Sequence, residues 1–297
     1  MNYIAELDCI NGLPSVSVFW NFLLAEKIRI LLIFFIPILL SLLTLWIYSI
    51  NLKNVMKNCP INIRINCISL VSIYPFVSIF SMIAISVPRT YFFNDSVGHI
   101  AFMVISWQFY RLCMIYVDGE SSFIEIANDT SFTLKAPPFC CCLPLKRSSI
   151  SKKNFIFMKF LIIQMPFTHI AMFLVLNIIY IEDIQAFDNL ILYFIPFIAI
   201  TVFSGMWGYN LVVRTLSPYY SSLKLIQKYF AFQLVLFYCK ILPIILNFIM
   251  KKIITTCEDP AFTILVKRHT VIQIHVQIQM FILSVWAMNL YKNPMGN

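Results

Sequence analysis

Residues 229–250 read YFAFQLVLFYCKILPIILNFIM. This run of 22 residues carries one formal charge, Lys240, close to its middle. A helix rises 1.5 Å per residue, so about 20 apolar residues cross a hydrocarbon layer roughly 30 Å thick. The run has the length and apolar character of a membrane-spanning helix, and its lone ammonium raises the question of what the helix faces. Outward from it, six more runs of comparable length fall at 28–50, 65–87, 93–117, 155–181, 189–213 and 270–291. The expected fold is therefore all-α, a polytopic bundle of seven transmembrane helices forming a single domain over residues 1–297, with a hydrophilic, cysteine-rich loop at 118–154.

Composition agrees. Of 297 residues, 60% are hydrophobic and 12% charged, against about 45–50% and about 25% in soluble domains. Thirteen acids and 22 bases are too few to clothe a water-soluble surface of this length. The net charge of +9 has no basic run interleaved with aromatics outside the spans, so lipid headgroups explain it better than nucleic acid. The first 27 residues carry Glu6, Asp8 and Glu26 and no basic segment before a short apolar one, which predicts a self-inserting first span without a cleavable leader. Ahead of that span, Ser15 caps a stretch in which Val16, Val18, Phe19, Phe22 and Leu23 are apolar, read either as an interfacial helix or as a lead-in.

One set of loops holds Lys53, Lys57, Arg64, Lys135, Lys146, Arg147, Lys152, Lys153, Arg214, Lys224, Lys228 and Lys292. The other holds Lys27, Arg29, Arg89, Lys251, Lys252, Lys267 and Arg268, and twelve bases against seven predict the N-terminus outside and the C-terminus in the cytosol. Two glycosylation sequons bear on this orientation. Asn94-Asp95-Ser96 lies close to the membrane, and Asn128-Asp129-Thr130 lies in the loop expected in the cytosol, where it stays unmodified.

Polar groups inside spans are costly and should face the bundle interior, a cavity or the interface. Gln233, Lys240 and Asn247 are spaced by seven, one face of an α-helix, with Pro243 nearby. This amide, ammonium and amide can meet an anionic solute; the structural alternative is a Lys240–carboxylate pair or contacts between helices. The last span opens with Gln273, His275, Gln277 and Gln279, which distribute around a helix and place it centrally, either bordering a solute pathway or bonding its neighbours. Arg111, near the end of the third span, is read as a headgroup anchor or an anion contact, and Asp95 and His99 form an i, i+4 pair. Thr201 with Gly205 and Ser204 with Gly208 permit close helix packing, and His169 reads as a packing residue.

No catalytic constellation, metal-ligand spacing or phosphate loop is present in the sequence, so neither an enzyme nor a cofactor is expected. Cys140, Cys141 and Cys142 are adjacent, which prevents shared metal ligation. Their position beside Lys146, Arg147, Lys152 and Lys153 suits S-acylation with a palmitate-like chain.

Val87-Pro88-Arg89, Asp118-Gly119-Glu120-Ser121, the Pro-Phe-Cys-Cys-Cys cluster at 138–142, Pro166-Phe167 and the Lys228–Gln233 opening of the sixth span occur in an order that resembles the organic solute transporter alpha subunit family. The resemblance covers nearly the whole chain. It implies facilitated movement of amphipathic organic anions, such as bile acids or steroid conjugates, across the cell membrane, with a single-span beta subunit as partner; the polar span residues Lys240, Gln233, Asn247, Gln273, Gln277, His275 and Arg111 are then the candidate solute contacts. A seven-span signalling or chemosensory receptor fits the same topology. Against it, Asp118-Gly119-Glu120 follows the third span where such receptors carry Asp-Arg-Tyr, and Asn293-Pro294 falls after the seventh span.

Overall fold

The computed structural model describes residues 13–25, 31–129, 152–254 and 262–292. Among them every regular element is helical. Helix α1 is Val16–Ala25; a π-helical turn, Leu31–Phe35, leads into α2, Ile36–Asn58. Helix α3 is Ile61–Ser86, and after a 3-10 turn at Pro88–Thr90 comes α4, Tyr91–Tyr116. Then come α5, Glu120–Asp129; α6, Lys152–Glu182; and α7, Ile184–Leu216. Helix α8, Leu225–Leu236, passes through a π turn, Phe237–Ile241, into α9, Leu242–Ile253, and α10 is Ile264–Tyr291. The cysteines Cys140, Cys141 and Cys142 lie outside the described residues.

Among the described residues, six helical segments are long and apolar enough to cross a membrane: 33–58, α3, α6, α7, 221–253 and α10. The third expected span is the exception. Asn94, Asp95, His99, Gln108 and Arg111 dilute α4, which passes only in company with α5, bent from it by 71°. The count is thus six to seven. The bend has a local cause. Asp118 (φ 56°) and Gly119 (φ 113°) are left-handed, and the Gly119 N–H donates to the Met114 carbonyl at 2.9 Å, closing α4 with a turn that glycine tolerates best.

The chain divides into two compact units. The first contains the described residues of Met1–Asn51, Val71–His99 and Ala231–Met288. In it, Phe19 and Leu23 of α1 are fully buried against Phe34, Ile85, Phe262 and Val266. The Val18 N–H donates to Ser15 Oγ at 3.4 Å, the cap expected from sequence, and Trp20 Nε1 donates to the Ser86 carbonyl at 3.2 Å. The α1 segment is therefore held by protein packing on one side while Val16, Val18 and Leu24 are exposed.

The second unit contains the described residues of Leu52–Leu70, Ile100–Phe230 and Asn289–Asn297. Helices α6 and α7 approach closely in it because two residues lack side chains. A Cβ on Gly205 would collide with the Met165 sulfur, and one on Gly208 would stand 2.9 Å from Ile162 Cγ1. His169 Nε2 meets Thr201 Oγ1 at 2.8 Å and Gln164 Nε2 donates to Ser204 Oγ at 2.6 Å across the same seam. The turn joining the two helices is capped by Asp183, whose carboxylate accepts from the N–H groups of Gln185 and Ala186 at 2.8 and 3.1 Å. Elsewhere these helices present Leu174, Ile178, Leu192, Ile195, Phe197 and Ile200 outward, apolar surface suited to lipid rather than water.

A polar interior in the first unit

Lys240 lies inside the π turn Phe237–Ile241. Pro243 accounts for part of that irregularity: it has no N–H, so the Cys239 carbonyl four residues earlier loses its α-helical donor. The π turn corrects the expectation of one continuous face. A spacing of seven keeps side chains aligned only at 3.6 residues per turn, and one inserted residue rotates the downstream helix by about 100°. Gln233 stands before the turn and Asn247 after it, so the two amides do not share a simple stripe with Lys240.

The ammonium has a carboxylate partner. Lys240 Nζ lies 2.6 Å from Asp95 Oδ2, with the two side chains 24% and 28% exposed. Asp95 is 145 residues away in the chain, and its carboxylate reaches the α8–α9 junction rather than serving only the local neighbour His99, which is buried. The lysine–carboxylate pair, the structural alternative for Lys240, is thus the arrangement present.

A second group of polar side chains lines the meeting of α2, α3 and α10. Gln277 is fully buried; its Nε2 donates to the Ser78 carbonyl at 3.2 Å, and Ser78 Oγ is 3.1 Å from Ser41 Oγ. Asn51 Nδ2 donates to the Ser284 carbonyl at 3.4 Å. Gln273, Gln277 and Ser284 share one face of α10, and all three are buried. His275 and Gln279 are half-buried, with their side-chain nitrogens 3.5 Å apart. Three amide oxygens of this unit, on Asn51, Gln233 and Gln277, are buried without a hydrogen-bond partner among the described residues. Each such atom costs about 1–3 kcal/mol if left dry, and no bulk water competes for it within a bilayer. Each is an open acceptor that a water or a ligand hydroxyl could complete.

The second unit holds Arg111, outside this group. It lines a cleft of about 450 Å³ together with Trp107, Tyr110, Glu120 and Lys159. Lys159 Nζ and Glu120 Oε1 are 2.6 Å apart. Lys228, expected among the loop bases, is instead 1% exposed. Its Nζ lies 3.2 Å from the Tyr116 hydroxyl and 5.4 and 5.6 Å from the ring centres of Tyr116 and Tyr291. Aromatic faces stabilise such a cation, but partners so distant in the chain leave no local trace in the sequence.

Comparison with known proteins connects these features to a family. A model described as organic solute transporter Ostalpha matches residues 27–295. The chain is similar to an organic solute transporter alpha-like protein of Drosophila melanogaster, 29% identical over 263 residues, covering 88% of this chain and 79% of that protein. It is also similar to organic solute transporter subunit alpha of Danio rerio, 21% identical over 242 residues and covering 80% and 74% of the two chains. A third relative, organic solute transporter alpha-like protein 2 of Caenorhabditis elegans, is 24% identical over 158 residues, 52% of this chain and 46% of that one. No solved structure matches the chain. With the family model spanning nearly all of its length, and with apolar helices enclosing a polar interior, the chain belongs to the organic solute transporter alpha family.

Proposed function

We propose that this chain moves amphipathic organic anions, of the bile-acid or steroid-conjugate kind, down their gradient across the plasma membrane. The observation that carries the reading is the set of buried, unpartnered amide oxygens on Asn51, Gln233 and Gln277 within an apolar helical unit. A dry packing role leaves their cost uncompensated, whereas a water-lined route supplies the missing donors. Lys240 is the cation of that route. In the resting arrangement Asp95 neutralises it, and an arriving sulfate or carboxylate shares the ammonium with Asp95 without exposing a bare charge to hydrocarbon. Gln233, Asn247, Gln273, His275 and Gln277 supply hydrogen bonds to the solute and its water. Arg111 is assigned elsewhere, to the headgroup level.

The chain is oriented with its N-terminus outside and its C-terminus cytosolic, as a single transmembrane domain. Cys140, Cys141 and Cys142 carry acyl chains that hold the intervening loop to the membrane, and a single-span beta subunit assembles with the complex. The name "subunit alpha" of the Danio rerio relative supports the partner.

Uptake of a labelled steroid sulfate by cells making the protein, with and without a coexpressed single-span partner, tests the reading. Uptake should follow the imposed gradient in both directions. Flux equal to that of control cells across a panel of sulfates, carboxylates and glucuronides would remove it.

A further inference from the structure

The cleft around Arg111 lies on the second unit and is not used by the solute route. Arg111 is exposed towards the C-terminal end of α4 and forms no ion pair among the described residues. A guanidinium at such a place needs an anion or the headgroup region. Around it, the Trp107 ring stacks at 5.1 Å on Tyr110, and Lys159 is steadied by Glu120 at 2.6 Å. Met114 and Ile115 give the cleft an apolar wall beside these charges, and beyond its lining each helix continues apolar. On α4, Val104 lies seven residues before Arg111 on the same face and is 42% exposed. On α6, Ile163 lies one turn beyond Lys159 and is half-buried.

We propose that this cleft binds the headgroup of an acidic phospholipid bearing hydroxyls, such as phosphatidylinositol. Arg111 takes the phosphate in its planar fork, with Lys159 adding charge beside it. Glu120, the carboxylate of the cleft, accepts hydrogen bonds from headgroup hydroxyls. Acyl chains run along Val104, Trp107 and Ile163. A free phosphate would use the charged end alone and leave that apolar wall uncovered, which is why the source is lipid.

The test uses the full chain in phosphatidylcholine nanodiscs, titrated with dioctanoyl phosphatidylinositol and read by native mass spectrometry and by binding isotherm. One lipid per chain is expected, with Arg111→Gln weakening it at least about tenfold and Arg111→Lys by about threefold, since the charge remains while the fork is lost. Lys53→Gln, an exposed basic residue outside the cleft, should leave binding unchanged. Wild-type affinity in Arg111→Gln, or an equal loss in Lys53→Gln, overturns the proposal. If Arg111→Gln fails to fold, Glu120→Gln decides: preference for phosphatidylinositol over phosphatidic acid should fall, and an unaltered ratio overturns the assignment. Displacement of the lipid by inorganic phosphate at equal concentration would make this a free-phosphate site. Displacement by steroid sulfate would make it a solute site. Either result overturns the lipid assignment, and neither depends on whether the protein carries out flux.

Discussion

The α6–α7 seam and the polar interior of the first unit use the same side-chain chemistry to opposite ends. Along the seam, Gln164 finds Ser204 at 2.6 Å, His169 finds Thr201 at 2.8 Å, and the hydroxyls of Thr168, Thr201 and Ser204 bond carbonyls of their own helices. In the first unit, Gln277 bonds Ser78 through its nitrogen and leaves its oxygen unmet; the amide oxygens of Asn51 and Gln233 are unmet as well, whereas on α6 and α7 the one unmet amide oxygen among the described residues is that of Asn177. A polar residue in a membrane helix is therefore not in itself a functional sign. Completed bonds mark glue between helices, and a cluster of incomplete ones, as in the first unit, is what the proposed solute route uses.

If the seam is pure packing, its most damaging change is steric. Gly205→Leu must displace the whole Met165 side chain from the seam, so a loss of about 3 kcal/mol, the upper part of the usual overpacking range, is expected. Fluorescence-detected thermal unfolding in detergent would register it as a lower transition temperature and a poorer yield. Wild-type stability in that variant would mean that the two helices are not held this closely.

The ion pair comes next. Lys240→Ala strands the Asp95 carboxylate in partly apolar surroundings, and because both side chains are about a quarter exposed, the loss should be about 2 kcal/mol, below the roughly 3–5 of a fully buried pair. The double variant Asp95→Asn with Lys240→Met should regain most of that stability while flux stays low. Recovery of both properties together would make the pair structural, like the seam.

Orientation adds a change of sequence chemistry rather than of packing. Asn128 is exposed on α5, whereas Asn94 is buried with its Nδ2 2.7 Å from Thr90 Oγ1. Glycosidase digestion should leave the mass unchanged, and a shift abolished by Asn128→Gln would place α5 outside the cell.

Much of this arrangement is legible in the residues alone. Hydrocarbon thickness sets a length and apolarity that six of the seven expected runs meet alone and the third only together with α5, and the helices extend by a few residues past most of the expected limits because capping and basic residues beyond the hydrocarbon remain helical. Gly205 and Gly208 announce a close approach through spacing alone. The pairing of the polar residues is not legible: Asp95 with Lys240 spans 145 positions, and Gln277 with Ser78 spans 199. Nor does any residue in Phe237–Ile241 mark a π turn apart from the proline two positions later, and because of that turn the spacing of Gln233, Lys240 and Asn247 misleads.

The smallest effects discriminate best between the two regions, because they test single hydrogen bonds. Gln164→Leu removes the bond to Ser204 and should cost about 0.6 kcal/mol, typical of an interhelical contact in a bilayer, with flux per molecule at the surface unchanged. Gln277→Leu removes one bond to Ser78 but also an oxygen that had no protein partner. Its stability should change little, since the lost bond is offset by the relief of an unmet acceptor. Flux should nonetheless fall, because the water or solute served by that oxygen loses its anchor. Surface biotinylation combined with gradient-driven uptake measures both quantities in one preparation. If Gln277→Leu instead loses stability while surface-normalised flux holds, that oxygen serves packing and the two regions do the same work.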